Sequence, residues 1–136
     1  MPTTPVKEIK TWQLTENFHI REFACNDGHA VPTELVPNVI ELAKNLQILR
    51  DYLGEPLHIN SGYRTPIYNS KIGGAKNSQH LLAKAADCTT KNKTSKELFD
   101  IIEKLIKEKK MKQGGLGLYK GFVHYDIRNK KSRWAG

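Results

Sequence analysis

The spacing of apolar residues predicts two long amphipathic helices in this chain. Between residues 34 and 53, apolar side chains recur every three or four positions, as they do on the buried face of a helix. Gly54 and Pro56 follow directly and are expected to end this helix. The sequence Thr94-Ser95-Lys96-Glu97 is a capping box, and it predicts a second helix with an apolar stripe up to Ile106.

Four segments between and after these helices have the pattern of strands. In residues 57–61, apolar and polar residues alternate, and residues 85–90 are a short run that favours a buried strand. The last two surround a turn and predict a hairpin. A short helix is expected between Pro66 and Gly73, and the residues after Ile127 are predicted to form a basic tail. The four predicted strands are residues 57–61, 85–90, 114–119 and 122–127.

Length and composition indicate one ordinary domain with a basic surface. The chain has 136 residues, 38% of them apolar, and a formal net charge of +8. We expect a polar N-terminal arm over residues 1–16 and a single domain over residues 17–136. The charge favours polyanionic partners, either nucleic acid or the anionic polymers of a bacterial cell wall, although scattered lysines are also typical of a solvated helix face.

The cysteines and the N-terminal sequence bear on the compartment. Cys25 and Cys88 are too few for a disulfide framework, and we expect two buried thiols, with one disulfide as the alternative in an oxidising compartment. The first residues lack the pattern of a signal peptide, and no apolar run is long enough to span a bilayer. These patterns predict a protein made in the cytoplasm that does not insert into a membrane.

The last predicted strand carries the first candidate functional residues. Side chains alternate across a strand, so His124 and Asp126 share a face with Phe122, while the opposite face is mostly apolar and belongs in the core. An imidazole and a carboxylate two positions apart suit a metal ligand with a nearby acid or base. The alternatives are a hydrogen-bonded structural histidine and a salt bridge from Asp126 to Arg128 or Arg64.

His80 and Asp87 extend this set. Asp87 lies among small buried residues in a predicted strand, and a buried carboxylate needs a partner because leaving it unpaired is costly. If His80, Asp87 and His124 meet in space, they form the open zinc set used for hydrolysis, with a fourth position free for water. Arg64 follows a strand at a tight turn and can hold a carboxylate bidentately, or it can be an ordinary surface arginine. Tyr63 can line a pocket or cover the sheet.

Several motifs occur here in the order in which one known family has them. They are Ser61-Gly62-Tyr63-Arg64-Thr65-Pro66, Gly73-Gly74-Ala75, Ser78-Gln79-His80, Ala85-Ala86-Asp87, Gly114-Gly115-Leu116-Gly117 and Phe122-Val123-His124-Tyr125-Asp126. From about Phe18 to Trp134, the chain resembles the zinc D-Ala-D-Ala carboxypeptidase-like peptidases. Their superfamily also contains vancomycin-resistance D,D-dipeptidases, phage L-Ala-D-Glu endolysins and hedgehog domains.

The resemblance implies a fold, a cofactor and a set of roles. The fold is α+β, with a central antiparallel sheet and helices packed on it. One Zn²⁺ ion is expected on His80, Asp87 and His124. Arg64 would bind the substrate carboxylate or steady the oxyanion, Ser78 would orient the ligand loop or touch substrate, and Tyr63 is a further candidate for substrate binding. The implied activity is metallopeptidase hydrolysis of peptidoglycan stem peptides, as a carboxypeptidase or an endopeptidase.

Two positions depart from the family pattern. Many relatives have glycine where Ala83 stands, and a methyl group is disfavoured there if the backbone requires a positive φ. Several relatives have an acid three residues before the last zinc histidine, where this chain has Gly121. Asp126 is therefore the candidate general base, and Asp126→Asn is expected to keep zinc and lose most turnover.

The remaining expectations concern the setting. The alternative to an enzyme is a catalytically weak, zinc-bearing module that binds peptidoglycan, which the glycine at position 121 favours. A nucleic-acid binder is not predicted, because no recognised motif or run of aromatic and basic residues occurs outside the tail around Trp134. We expect a monomer that acts on the cell wall after release, in phage lysis or as part of a virion.

Overall fold

The computed structural model describes residues 12–136. The first eleven residues of the predicted arm lie outside the described residues. Short 3-10 helices cover Ile20–Phe23, Thr33–Leu35 and Gln79–Leu82. The α-helices are α1 (Val36–Leu53), α2 (Pro66–Lys71) and α3 (Ser95–Lys107). The strands are β1 (Leu57–Ser61), β2 (Ala85–Thr90), β3 (Gly115–Leu118), β4 (Val123–Asp126) and β5 (Ser132–Ala135).

Helix α1 ends, and helix α3 begins, where local signals predict, whereas residues 33–35 at the predicted start of the first helix form a 3-10 helix instead. Helix α1 ends at Leu53, and Gly54 follows in the left-handed conformation. At the start of α3, the Thr94 side chain accepts a hydrogen bond from the Glu97 backbone, and the Glu97 side chain accepts one from the Thr94 backbone. The buried residues of α3 are all apolar, and they face the sheet; they are Leu98, Ile102, Leu105 and Ile106.

The five strands form one sheet in the order β1-β2-β4-β3-β5. Neighbouring strands are antiparallel, except that β3 and β5 run parallel. The α+β fold predicted from the sequence, with a central antiparallel sheet and helices packed on it, is confirmed. The parallel edge strand was not predicted: residues 132–135, which were assigned to a basic tail, pair with β3 instead.

The hydrophobic core lies between the helices and one face of the sheet. Val123, Tyr125 and Ile127 are fully buried there, as the alternation along the last strand predicted. Helix α3 contacts β2, β3 and β4 on this side. The opposite face of the same strands is free to carry polar groups. Within residues 12–136, the structure has no helix both long and apolar enough to cross a membrane.

Candidate metal centre

One row of residues runs across the whole sheet on the face opposite the core. Asp87 of β2 lies beside Ser61 of β1 on one side and His124 of β4 on the other. His124 pairs in turn with Gly117 of β3, and Gly117 pairs with Trp134 of β5. Cross-strand neighbours have their side chains on the same face, so this register brings Asp87 and His124 together.

His80 reaches the row from the 3-10 helix Gln79–Leu82, which precedes β2. The Ser78 hydroxyl caps this helix by accepting a hydrogen bond from the His80 backbone, at 3.1 Å. The His80 ring is oriented by the Gly62 carbonyl oxygen, 2.7 Å from Nδ1. A carbonyl can only accept, so Nδ1 carries the proton and Nε2 keeps its lone pair. Nε2 faces Asp87.

The helix turn that presents His80 ends at Ala83, which has a φ of 57° and a ψ of 32°. This is the left-handed region, in which an L residue with a Cβ is disfavoured. The position at which relatives have glycine is therefore one that requires a positive φ. The Ala83 side chain is buried, and its backbone donates to the His80 carbonyl at 3.2 Å. The methyl group is accommodated without opening the turn.

His124 is held by a carboxylate rather than by a carbonyl. Its Nε2 lies 2.7 Å from Oδ2 of Asp126, and its Nδ1 lies 3.1 Å from Oδ1 of Asp87. Burial alone would lower the pKa of His124, but the hydrogen bonds to Asp126 and Asp87 outweigh burial and raise it. When Nε2 donates to Asp126, the lone pair of Nδ1 points at Asp87.

Asp87 is the residue that both histidines share. Oδ1 lies 3.2 Å from Nε2 of His80 and 3.1 Å from Nδ1 of His124, while Oδ2 accepts from Arg64 at 3.1 Å. Burial of Asp87 opposes its ionisation, but its interactions with His124 and His80, which are attractive when a proton lies between a ring nitrogen and Oδ1, hold the pKa of its carboxyl well below its usual range. The buried carboxylate is thus ionised and its partners are cationic or polar.

The chemistry of these donors fits a zinc ion. With Nδ1 of His80 and Nε2 of His124 acting as donors, each imidazole points a lone pair at Oδ1 of Asp87, at 3.2 Å from His80 and 3.1 Å from His124. Such an arrangement of acceptors requires protons or a cation between them. Ligand atoms 2.0–2.1 Å from a tetrahedral zinc ion are separated by about 3.3–3.4 Å, close to these spacings. Within residues 12–136, His80, Asp87 and His124 are the group that could hold a metal ion.

Asp126 lies behind His124 and not in the open part of the site. It is fully buried, and both carboxylate oxygens are occupied. Oδ1 accepts from the Gly115 and Arg128 backbones and from Nε of Arg128, while Oδ2 accepts from His124 and from the other end of the Arg128 guanidinium. Burial works against ionisation, but His124 and Arg128 lower the pKa of the Asp126 carboxyl strongly. The sequence-based alternative of a salt bridge to Arg128 is what the structure contains.

The other predicted site residues take different positions. Arg64 lines the cleft, and its guanidinium donates to Ser61, Asn69 and Asp87. Ser78 also lines the cleft, beside His80. Tyr63, in contrast, is buried in the hydrophobic core and is not among the residues that line the cleft. The core position follows from the turn after β1, where the Tyr63 backbone donates to the Phe23 carbonyl.

The cleft around the cluster has a volume of about 630 Å³ and two unlike walls. One wall is polar and cationic and comes from Arg64 and from residues 73–79. The other is aromatic, with Tyr119 and Phe122 stacked at 4.5 Å and Trp134 hydrogen-bonded through Nε1 to the Tyr119 hydroxyl. Among the described residues that line the cleft, Asp87 is the one carboxylate.

Sequence reasoning missed three contributors to the site. The Gly62 carbonyl orients His80, and no side-chain pattern can indicate a backbone acceptor. Arg128 was considered as a partner of Asp126, but its place over the Trp134 ring was not foreseen. Trp134 was assigned to a tail, because Ser132–Ala135 has no alternation of apolar and polar residues that would have indicated a strand. Cys25 and Cys88 are both buried and free, as expected.

Two comparisons show which known proteins this chain is similar to. The family model described as Peptidase M15 matches residues 16–126, which include every residue of the metal cluster. The zinc D-Ala-D-Ala carboxypeptidase of Streptomyces albus G is 39% identical over 51 residues, or 37% of this chain and 20% of that protein. The chain thus spans about a fifth of the length of this relative in the matched region. The family and the cluster agree with the zinc cofactor predicted from the sequence.

Proposed function

Because the chain belongs to the peptidase M15 family, we propose that it is a zinc metallopeptidase that hydrolyses peptide bonds in peptidoglycan stem peptides. The observation that carries the proposal is the convergence of two imidazole lone pairs and one carboxylate oxygen at a cleft. His80, Asp87 and His124 would hold one zinc ion. When bound there, zinc supplies Lewis-acid chemistry, which acidifies water and polarises a peptide carbonyl.

Arg64 is suited to bind the carboxylate of a substrate. An arginine has five N–H donors, and Arg64 uses three of its nitrogens to bind Ser61, Asn69 and Asp87. These contacts fix the guanidinium plane at the wall of the cleft, and the remaining N–H groups can donate to a substrate oxygen. The relative's name refers to a D-Ala-D-Ala carboxypeptidase, whose substrate ends in a carboxylate. The same guanidinium can stabilise negative charge that develops on the carbonyl oxygen.

In this proposal Asp126 orients His124 and does not accept a proton from water. All its oxygens are engaged and the side chain has no exposed surface, so water in the cleft does not reach it. We assign it to orient His124, as an outer carboxylate does for many metal-bound histidines. Arg128 keeps Asp126 ionised, which makes His124 a better electron donor.

Incubation of purified, zinc-loaded protein with defined muropeptides tests the proposal. Mass spectrometry should detect new amino groups and shortened stems, and the masses identify the bond. A chelator should abolish the products and added zinc should restore them. His80→Ala, which removes one donor, is the matched inactive control. Hydrolysis that persists both with chelator and in His80→Ala would refute a metallopeptidase.

The second candidate is a zinc-bearing module that binds peptidoglycan without efficient turnover. One observation favours it: among the described residues lining the cleft, no carboxylate besides Asp87 is available to accept a proton from water. This module would bind wall fragments with zinc present and release no new amines during long incubation. The muropeptide experiment therefore separates the two candidates.

A further inference from the structure

Trp134 contacts His124, one of the three candidate metal ligands, although Trp134 lies outside the segment that matches the peptidase family. The match ends at residue 126, whereas Trp134 is in β5, the parallel strand at the edge of the sheet. Its indole ring lies 5.0 Å from the His124 ring, centroid to centroid, at an interplanar angle of 52°. The His80 ring also lies near His124, at 5.1 Å between centroids and an interplanar angle of 74°. The His124 ring therefore contacts two aromatic rings, one from another member of the cluster and one from the edge strand.

A glycine makes this contact possible. Gly117 stands between His124 and Trp134 in the row across the sheet, and it has no side chain on the cleft face. A Cβ at position 117 would approach the indole atoms of Trp134 to 2.5 Å, closer than real contacts allow. Trp134 thus fills the space above Gly117 and reaches across one strand to the ligand.

Trp134 also contacts the group that fixes the far side of His124. The Arg128 guanidinium lies 5.3 Å from the Trp134 ring centroid, within the range of a cation–π interaction. Arg128 in turn makes two side-chain hydrogen bonds to Asp126, at 2.9 and 2.8 Å. One indole ring therefore packs on both ends of the chain of contacts Arg128–Asp126–His124.

The indole has an anchor of its own. Its Nε1 donates to the Tyr119 hydroxyl at 2.9 Å, and the Tyr119 ring is stacked on Phe122. Both members of this hydrogen bond are half-buried, so the bond fixes the rotamer of a large ring at the edge of the cleft. Without Trp134, water would reach the His124–Asp126 hydrogen bond, which is now enclosed.

We propose that Trp134 is a positioning residue that holds His124, Asp126 and Arg128 in the geometry required for metal binding, with Tyr119 as its anchor. The inference rests on the zinc site of the proposed function but not on peptidase activity. It assigns the edge strand β5 a part in the site, since the pairing of Trp134 with Gly117 places the indole ring beside His124.

Zinc affinity, measured by competition with a chromophoric chelator, tests this role directly. Trp134→Ala should raise the dissociation constant about tenfold, the lower end of what outer-shell substitutions cause. Trp134→Phe keeps an aromatic ring over Gly117 and should recover most of the affinity. Trp12→Ala removes the other tryptophan, which is exposed, and should change nothing. In the cobalt-substituted protein, Trp134→Ala should shift the visible absorption bands, and Trp12→Ala should leave them in place.

Two outcomes would overturn the inference. The first is unchanged zinc affinity with an unchanged cobalt spectrum in Trp134→Ala. If Trp134→Ala does not fold, Tyr119→Phe removes only the hydroxyl anchor, and full zinc affinity in that variant is the second. Because zinc binding is measured without substrate, a protein that binds zinc and cleaves no muropeptide would contradict the proposed function and leave this inference standing.

Discussion

The two histidines of the metal cluster are held by different kinds of structure. His80 lies on a tight turn and is fixed by backbone groups: the Gly62 carbonyl bonds its ring, and the turn is closed by main-chain hydrogen bonds. His124 lies on a strand and is fixed by side chains, with Asp126 and Arg128 behind it. Apart from Ala83, where burial and a positive φ restrict the residue, the turn should therefore depend less on its side chains than the strand, which depends on a few charged residues.

This difference also affects the protons that the two rings carry. Burial lowers the pKa of His80, in spite of the opposing effect of Asp87. Burial acts in the same direction on His124, but Asp126 and Asp87 together outweigh it and raise the pKa. If the two rings hold zinc as proposed, His80 is available to it as a neutral imidazole, while His124 must lose a proton first. The predictions below separate the two regions, beginning with the residue that they share.

Asp87→Asn should have the largest effect, because Asp87 links both regions. The substitution removes the negative charge that faces His80, His124 and Arg64, and it leaves Arg64 without its buried partner. We expect zinc binding to fall below detection by equilibrium dialysis and the thermal midpoint to decrease. Zinc bound stoichiometrically by Asp87→Asn would show that the two histidines suffice.

Asp126→Asn should weaken zinc binding about 10- to 100-fold, as removal of an outer carboxylate does at other metal sites. The reason is that His124 loses its charged partner and Arg128 loses its counter-charge. The measurement is the zinc dissociation constant together with turnover at saturating zinc. A general base gives the opposite pattern, full zinc affinity with lost turnover, and that result would remove the orienting role assigned here.

The pH dependence of zinc binding should report His124 alone. Below the raised pKa of His124, zinc must displace its proton, so the apparent dissociation constant should fall about tenfold for each unit of rising pH. Above that pKa the constant should level off. His80 adds no step there, since its lowered pKa leaves it neutral. Chelator competition across the pH range measures the slope; a slope of two protons would mean that both rings are protonated in the metal-free protein.

Ser78→Ala should have the smallest effect of this series. It removes the hydroxyl that caps the 3-10 helix of His80, which costs about 1 kcal/mol of helix stability. If that whole cost is transferred to zinc binding, the zinc affinity falls about fivefold. The Gly62 carbonyl still orients the ring. Calorimetric zinc titration measures the change. A loss as large as that of Asp126→Asn would contradict the view that the turn is held by its backbone.

The sequence predicted those parts of the fold and site that depend on local patterns. Apolar periodicity predicted α1 and the core stripe of α3, because a buried face must repeat with the period of its element. The turn residues around it predicted the short helix α2, and short apolar runs and alternation predicted four of the five strands. The alternation along β4 also separated its core face from the face of His124. The family motifs identified His80, Asp87 and His124, which the structure brings within ligand distance of one another.

The sequence could not predict the roles that depend on which neighbours meet in space. Asp126 was expected to face the cleft as a base, since it alternates in phase with His124. In the structure, Gly115 and Arg128 take up its carboxylate and leave it no exposed surface. Tyr63, which is next to Arg64 in sequence, was likewise a candidate for substrate binding. In the structure, the Tyr63 side chain packs in the core, whereas Arg64 lines the cleft.

Sequence alone thus determined the chemistry available at the candidate site, with the imidazoles of His80 and His124, the carboxylates of Asp87 and Asp126 and the guanidinium of Arg64, and the order of the elements that carry these groups. Tertiary structure decided that Asp87 lines the cleft beside both histidines and that Asp126 lies behind His124. It also decided that Trp134 lies over Gly117 beside His124. The physical reason is that side-chain type and period are local properties, whereas burial, the pKa of a group and its hydrogen-bond partners follow from register between strands distant in sequence.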